Sequence, residues 1–181
     1  MREDLWVFGY GSLMWRQGFP HVETRRAILR GWHRSLCITS IEHRGTVEQP
    51  GVVLGLDRGG LCRGIAFRVP ARHAARTLDY LNEREMGTYS YRQVFLPVWT
   101  AKGVVRAFTH VVERDHPHYA GQLTDSERIR RIAAAIGKSG RNIDYMMHTL
   151  NHLAALGVRD RRLETLYAAA INASARAAGA E

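Results

Sequence analysis

The sequence predicts an α+β fold, a small and mainly antiparallel β-sheet or barrel packed with helices, with a helical C-terminal third. Three observations carry this expectation. The first two thirds of the 181 residues break into short apolar or alternating runs punctuated by glycine and proline. Those runs follow one another with little helix between them, as antiparallel neighbours do. From Thr124 onward the apolar residues change to helical spacing. No linker, repeat or low-complexity stretch divides the chain, so residues 1–181 are expected to form one domain with a core of useful size.

Taken in order, Leu5 to Phe8 is a short apolar strand that runs into Gly9-Tyr10-Gly11-Ser12-Leu13. Glycine reaches backbone angles closed to other residues, so successive N–H groups of such a loop can face one spot and hold a carboxylate or a developing oxyanion. Gly31 to Ser40 and Val52 to Leu56 are the next strands, with Pro50-Gly51 and Gly59-Gly60 read as turns. Cys62 to Val69 alternates as a half-buried strand does, and Ala71 to about Glu85 reads as a helix. Tyr91 to Trp99 and Val104 to Val112 are strands joined by a hairpin at Thr100-Ala101-Lys102-Gly103.

Thr124-Asp125-Ser126-Glu127 is a capping-box start for a helix through Ile136. Asn142 is read as the cap of a third helix, whose Ile143, Met146, Met147, Leu150 and Leu153 share a face before Gly157 ends it. The alanine-rich segment from Asp160 is a fourth helix, expected to fray after about Ala173.

Composition limits the function. A hydrophobic content of 45% with 24% charged residues is that of a soluble globular protein. No run approaches the roughly 20 apolar residues of a membrane span, and Met1-Arg2-Glu3-Asp4 leads straight into a strand without a signal region. A cytoplasmic protein with no membrane partner is therefore expected. Cys37 and Cys62 have no CxxC spacing and read as buried thiols rather than a disulfide or a nucleophile.

The formal net charge is +9, and every basic residue except Lys102 and Lys138 is arginine. The arginines are scattered, whereas nucleic-acid binding favours a concentrated patch interleaved with aromatic groups. No nucleic-acid partner is expected; a basic surface suits a small anionic substrate equally well. His110, Asp115, His116 and His118 lie close in sequence, but no helical or strand spacing converges them, so no metal site is expected.

One residue breaks the pattern of the first helix. Ala74, Leu78 and Leu81 form an apolar stripe, and the next position on it is Glu85. Glu83, about 200° round from Leu81, should face solvent. Either the helix frays by Arg84 and Glu85 swings out, or Glu85 is a desolvated acid with its pKa raised toward neutrality, as a general base requires.

Phe8-Gly-Tyr-Gly-Ser-Leu13, Pro50-Gly51 before a strand, and Tyr80-Leu-Asn-x-Arg-Glu85 followed by Gly87 and Tyr89 together resemble the γ-glutamylcyclotransferases of the ChaC type. His118-Tyr119-Ala120-Gly121 is similar to that family's Asn-Tyr-Leu-Gly segment, and Ser139-Gly140-x-Asn142-x-x-Tyr145 to its last helical region. The resemblance runs from about Trp6 to about Leu166 and implies a cyclotransferase-like domain over 1–181. It implies cleavage of a γ-glutamyl amide, glutathione for the ChaC group. The substrate's α-amine attacks its own γ-carbonyl, closes 5-oxoproline and releases cysteinylglycine.

By the same resemblance Glu85 is the general acid/base, and Tyr10, Gly11, Ser12 and Leu13 form the substrate-binding loop. Tyr119 bounds the pocket, and neither metal nor organic cofactor is needed. Val52 departs from the pattern, because members often carry arginine there. With Arg16 or Arg44 as possible substitutes, the substrate stays open between glutathione and another γ-glutamyl amine or peptide. A non-catalytic module that binds a small anion is the remaining alternative.

Overall fold

The computed structural model describes residues 3–85 and 91–178. The chain forms two compact units, one of Met1–Arg34 with Leu56–Glu113, the other of Ser35–Gly55 with Arg114–Glu181.

The first unit is built on a closed five-stranded barrel in the order β1 (Leu5–Gly9), β3 (Gly51–Val69), β2 (Glu23–Ser40), β4 (Tyr91–Thr100) and β5 (Gly103–Val112). β1 pairs antiparallel with β3 and parallel with β5, and β4 pairs antiparallel with both β2 and β5. The barrel is thus mixed through one parallel pair, β1 with β5. Its closure follows from alternation along the strands. Phe8, Ala27, Leu29, Leu56, Ala66, Val98, Ala107 and Val111 form one buried cluster. Each large side chain so buried contributes about 1.5–3 kcal/mol.

The intervening residues Leu5, Val7, Phe67, Val69 and Phe108 make a second cluster with Ala74 and Leu81 of helix α1 (Ala71–Glu85). The helix therefore covers the other face of β1, β3 and β5, on the stripe that its sequence spacing predicts.

Two expectations about strands change. Val52 to Leu56 and Cys62 to Val69 are halves of one strand, because Gly59 and Gly60 lie inside β3 with φ of 102° and 67°. They bend a 19-residue strand rather than ending it. Gly31, with φ 78°, occupies the same kind of position within the 18-residue β2. The sequence reading took glycine as punctuation, whereas long barrel strands use it to coil.

The second unit holds the ends of β2 and β3 that fall within it, helices α2 (Asp125–Ala134), α3 (Asn142–Ala155) and α4 (Arg161–Ala178), and a two-stranded hairpin, β6 (Ile136–Gly137) with β7 (Gly140–Arg141). Thr124 caps α2 by accepting the Glu127 N–H at 3.2 Å. The Glu127 carboxylate is bound instead by Arg130 and Arg131, which hold its pKa down at about 2. α2 stops at Ala134, short of the expected Ile136, because the chain turns extended at Ala135 and enters the hairpin.

Asn142 is the first residue of α3 rather than its cap, and its carboxamide serves β3. Gly157, at φ 69°, ends α3 as expected, with the Val158 N–H closing on the Leu153 carbonyl at 2.8 Å. α4 continues to Ala178, beyond the expected fraying point at Ala173. Cys37 and Cys62 are buried and form no disulfide.

Candidate active site

β1 delivers the chain into the glycine loop, which tightens into a single 3₁₀ turn, Ser12–Met14. The Met14 N–H returns to the Gly11 carbonyl at 2.9 Å and the Arg16 N–H to the Ser12 carbonyl at 2.8 Å. Among the described residues, the N–H groups of Gly11, Ser12 and Leu13 donate to no backbone carbonyl. Three successive donors are therefore available for an anion or a polarised carbonyl.

The glycines act differently from expectation. Gly9 and Gly11 are absent from the positive-φ positions of the chain, and Gly11 has φ −132°. Gly9 is needed for closeness instead. A Cβ there would lie 3.1 Å from Leu13 Cβ and 3.2 Å from the Phe67 ring. The loop packs back onto its own strand, so closely that a side chain at Gly9 would require Leu13 or Phe67 to shift.

Two arginines pin this loop, and neither was singled out from the sequence. Arg34, 7% exposed, donates from Nε to the Tyr10 carbonyl at 2.6 Å and from Nη2 to the Arg63 carbonyl at 2.8 Å. A buried guanidinium needs such acceptors, and here they are the backbone of β3 and of the loop. Arg84 grips the loop at its other end. Its Nη2 donates to Ser12 Oγ at 2.7 Å, and its Nη1 donates to the Arg16 carbonyl at 2.9 Å and to the Tyr80 hydroxyl at 3.0 Å. The signal that could have found Arg84 is its place in the Tyr80-to-Glu85 motif. Arg34 sits in a run of alternating residues with nothing to distinguish it.

α1 remains helical through Glu85 and does not fray at Arg84. Glu83 is exposed, as its helical position predicts. The Glu85 side chain lies outside the described residues, as do Gly87 and Tyr89 of the same motif. Its backbone sits one residue beyond Arg84, so the structure ties the end of α1 directly to the loop. Tyr119 lies in the second unit, bridged to Ile38, with its N–H on the His116 carbonyl at 2.9 Å and the Arg114 guanidinium 6.0 Å from its ring.

The remaining motif residues have structural partners within the second unit. Asn142 and Tyr145 bind the backbone of Val52 and Leu54, and Ser139 Oγ bonds His43 at 2.9 Å. Arg44 donates to the Ser139 carbonyl and lies 5.4 Å from the Tyr145 ring. His116 and His118 meet edge-on with ring centres 5.2 Å apart, and no set of three metal-binding side chains converges among the described residues. A cleft of about 300 Å³ lies between the Gly18–Pro20 segment and α1, lined by Gly18, Phe19, Pro20, His73, Arg76, Thr77 and Tyr80.

The profile of the ChaC-like protein family matches residues 5–173. The chain belongs to the ChaC-like family. Among the relatives of this ChaC-like chain is the glutathione-specific γ-glutamylcyclotransferase of Escherichia coli, 35% identical over 90% of this chain and 71% of its own length. The glutathione-specific γ-glutamylcyclotransferase 1 of Danio rerio is also 35% identical, over 81% of this chain and 77% of its own. The crystal structure of a yeast γ-glutamylcyclotransferase specific to glutathione superposes with a TM-score of 0.84, covering 94% of this chain and 96% of that one. At 22% identity that likeness establishes the ChaC-like fold. No helix among the described residues is long and apolar enough to cross a membrane.

Proposed function

We propose that this ChaC-like chain is a γ-glutamylcyclotransferase that cleaves glutathione to 5-oxoproline and cysteinylglycine, with residues 1–181 working as one domain. The observation that carries the reading is the loop whose Gly11, Ser12 and Leu13 N–H groups donate to no backbone carbonyl, fastened by Arg84 to the helix that ends at Glu85, in a chain matched over nine tenths of its length by a glutathione-specific cyclotransferase.

In this reaction Glu85 removes a proton from the α-ammonium group of the γ-glutamyl moiety. The freed amine attacks the γ-carbonyl, the carbonyl oxygen gains negative charge, and the Tyr10–Leu13 loop supplies N–H donors to it. As the carbon–nitrogen bond breaks, the proton passes from Glu85 to the departing amine of cysteinylglycine. Nucleophile and electrophile belong to one molecule, so a pocket that folds the glutamyl chain removes the entropy cost of an encounter. Tyr119 is assigned to substrate binding by its place in the His118-to-Gly121 motif. The reaction needs no metal or organic cofactor and takes place in the cytoplasm, where thiols such as Cys37 and Cys62 stay reduced.

One observation keeps a second substrate in view. Val52, at 0% exposure, is a core residue and offers no charge to a distant carboxylate. Arg44 is engaged by Ser139 and Tyr145. Exposed Arg16, two residues after the turn, is the arginine nearest in sequence to the loop. Purified protein with glutathione, followed by mass spectrometry for 5-oxoproline and cysteinylglycine beside simple γ-glutamyl amines, decides between them. Turnover of the amines without turnover of glutathione would reassign the substrate; no 5-oxoproline from any of them would remove the enzyme reading.

A further inference from the structure

We propose that Arg84 is a positioning residue for this reaction, holding the substrate loop at a fixed distance from the end of the helix that carries Glu85; this rests on the cyclotransferase reading above. The guanidinium bridges elements far apart in the chain. Its partners Arg16 and Ser12 lie 68 and 72 residues away, and the three bonds measure 2.7–3.0 Å.

Ser12 opens the 3₁₀ turn and Arg16 follows it, so the planar head spans the turn from end to end. A guanidinium fork holds two acceptors at once in fixed geometry, which an ammonium cannot do.

The head is itself braced. Tyr80 stands one helical turn before Arg84 and supplies the third acceptor. Its ring meets Phe19 edge-on, with centres 6.5 Å apart. Gly18, at φ 74°, comes so close that a Cβ there would fall on the Tyr80 hydroxyl. The segment from Ser12 to Phe19 is thereby fastened to α1 at two levels, Tyr80 and Arg84, and Arg84 is the level next to Glu85.

All three acceptors are neutral oxygens: a hydroxyl, a phenol and a backbone carbonyl. An arginine placed for surface charge pairing would face a carboxylate, as Arg130 faces Glu127. Arg84 contributes geometry instead. Transition-state donors must sit within about 0.5 Å of their productive place, and a clamp between base and donor loop controls that spacing.

The test is a double-mutant cycle with an independent structural readout. Arg84→Gln should lower kcat/KM for glutathione about 30-fold, as loss of charged hydrogen bonds does. Ser12→Ala should lower it less, and Arg84→Gln with Ser12→Ala should be no worse than Arg84→Gln alone, because both break one link. Arg84→Lys should regain part of kcat with KM near that of wild type.

Amide hydrogen exchange, which needs no turnover, should show faster exchange at the hydrogen-bonded amides of residues 14–16 in Arg84→Gln and unchanged exchange in β4 and β5. Unchanged exchange at residues 14–16 overturns the clamp whatever the kinetics show. Additive losses in the cycle overturn it as well. A wild type without glutathione turnover overturns the substrate reading, while the exchange result still judges the clamp.

Discussion

The carboxamide of Asn142 completes both hydrogen bonds of the Val52 peptide, accepting its N–H at 2.7 Å and donating to its carbonyl at 2.9 Å. The side chain thus stands in for a neighbouring strand, and both residues are 0% exposed. One turn on, the Tyr145 hydroxyl accepts the Leu54 N–H at 3.1 Å, so α3 covers the start of β3 at alternate residues. A Cβ at Gly51 would fall on the Arg44 carbonyl oxygen and also press on Asn142 Oδ1 at 2.9 Å, which explains the glycine before Val52. Asn142→Ala leaves a buried donor and a buried acceptor unpaired and should cost about 2–4 kcal/mol. A shift of the urea midpoint at constant slope would measure it; a loss under about 0.5 kcal/mol would show that the peptide finds other partners.

For the reaction, neighbouring carboxylates should behave differently. Glu85→Gln removes the proton carrier and should lower kcat by at least about 10²–10⁴-fold. Exposed Glu83→Gln should leave it within about twofold, as surface changes away from a site do. Rates of 5-oxoproline formation for both variants, with their circular dichroism spectra, check this. Equal losses would break the assignment of Glu85 from its place on the helix face.

Much of this was legible in the sequence because it depended on local periodicity. The strands around the Thr100-to-Gly103 turn form the expected hairpin, with Thr100 opposite Gly103. The Ala74–Leu81 stripe of α1 joins the apolar cluster it predicts. What escaped was set by partners distant in the chain. Gly59 and Gly60 read as a turn, since nothing local says that β3 must coil round a barrel. Asn142 read as a cap because asparagine favours helix starts, whereas its partner lies 90 residues earlier. Arg34 was invisible as a loop pin for the same reason: the carbonyls it binds have no sequence signature.

Gly64 offers a test of how tightly the loop depends on the barrel. A Cβ there would fall on the Gly9 carbonyl oxygen and sit 2.6 Å from the Phe8 ring. Both neighbours belong to the strand that launches the loop, and neither is a flexible end able to swing aside. Gly64→Ala should therefore destabilise the fold by about 1–3 kcal/mol, as overpacking does, and lower kcat/KM by displacing Gly9. Thermal melts and glutathione kinetics measure the two effects. A stable variant with wild-type kinetics would show that β1 shifts without moving the loop.

His110 should set part of the acid sensitivity of the fold. It lies on β5 at 6% exposure, with its ring 5.1 Å from Phe108 and 6.1 Å from Tyr91, centre to centre. Burial among these rings disfavours the imidazolium and pushes its pKa from 6.5 down to about 4. Above pH 6.5 both folded and unfolded chains hold a neutral ring, and His110 adds no pH dependence. As pH falls from 6.5 toward 4, the unfolded chain takes up the proton first, so stability drops across that window and levels off below it. The whole loss is about 3 kcal/mol. His110→Phe keeps a ring in place without a titrating nitrogen, so the difference in urea midpoint between about pH 7 and about pH 4.5 should shrink. Parallel acid limbs for wild type and variant would mean that the ring is protonated in the folded protein too, and that other groups set the acid limit.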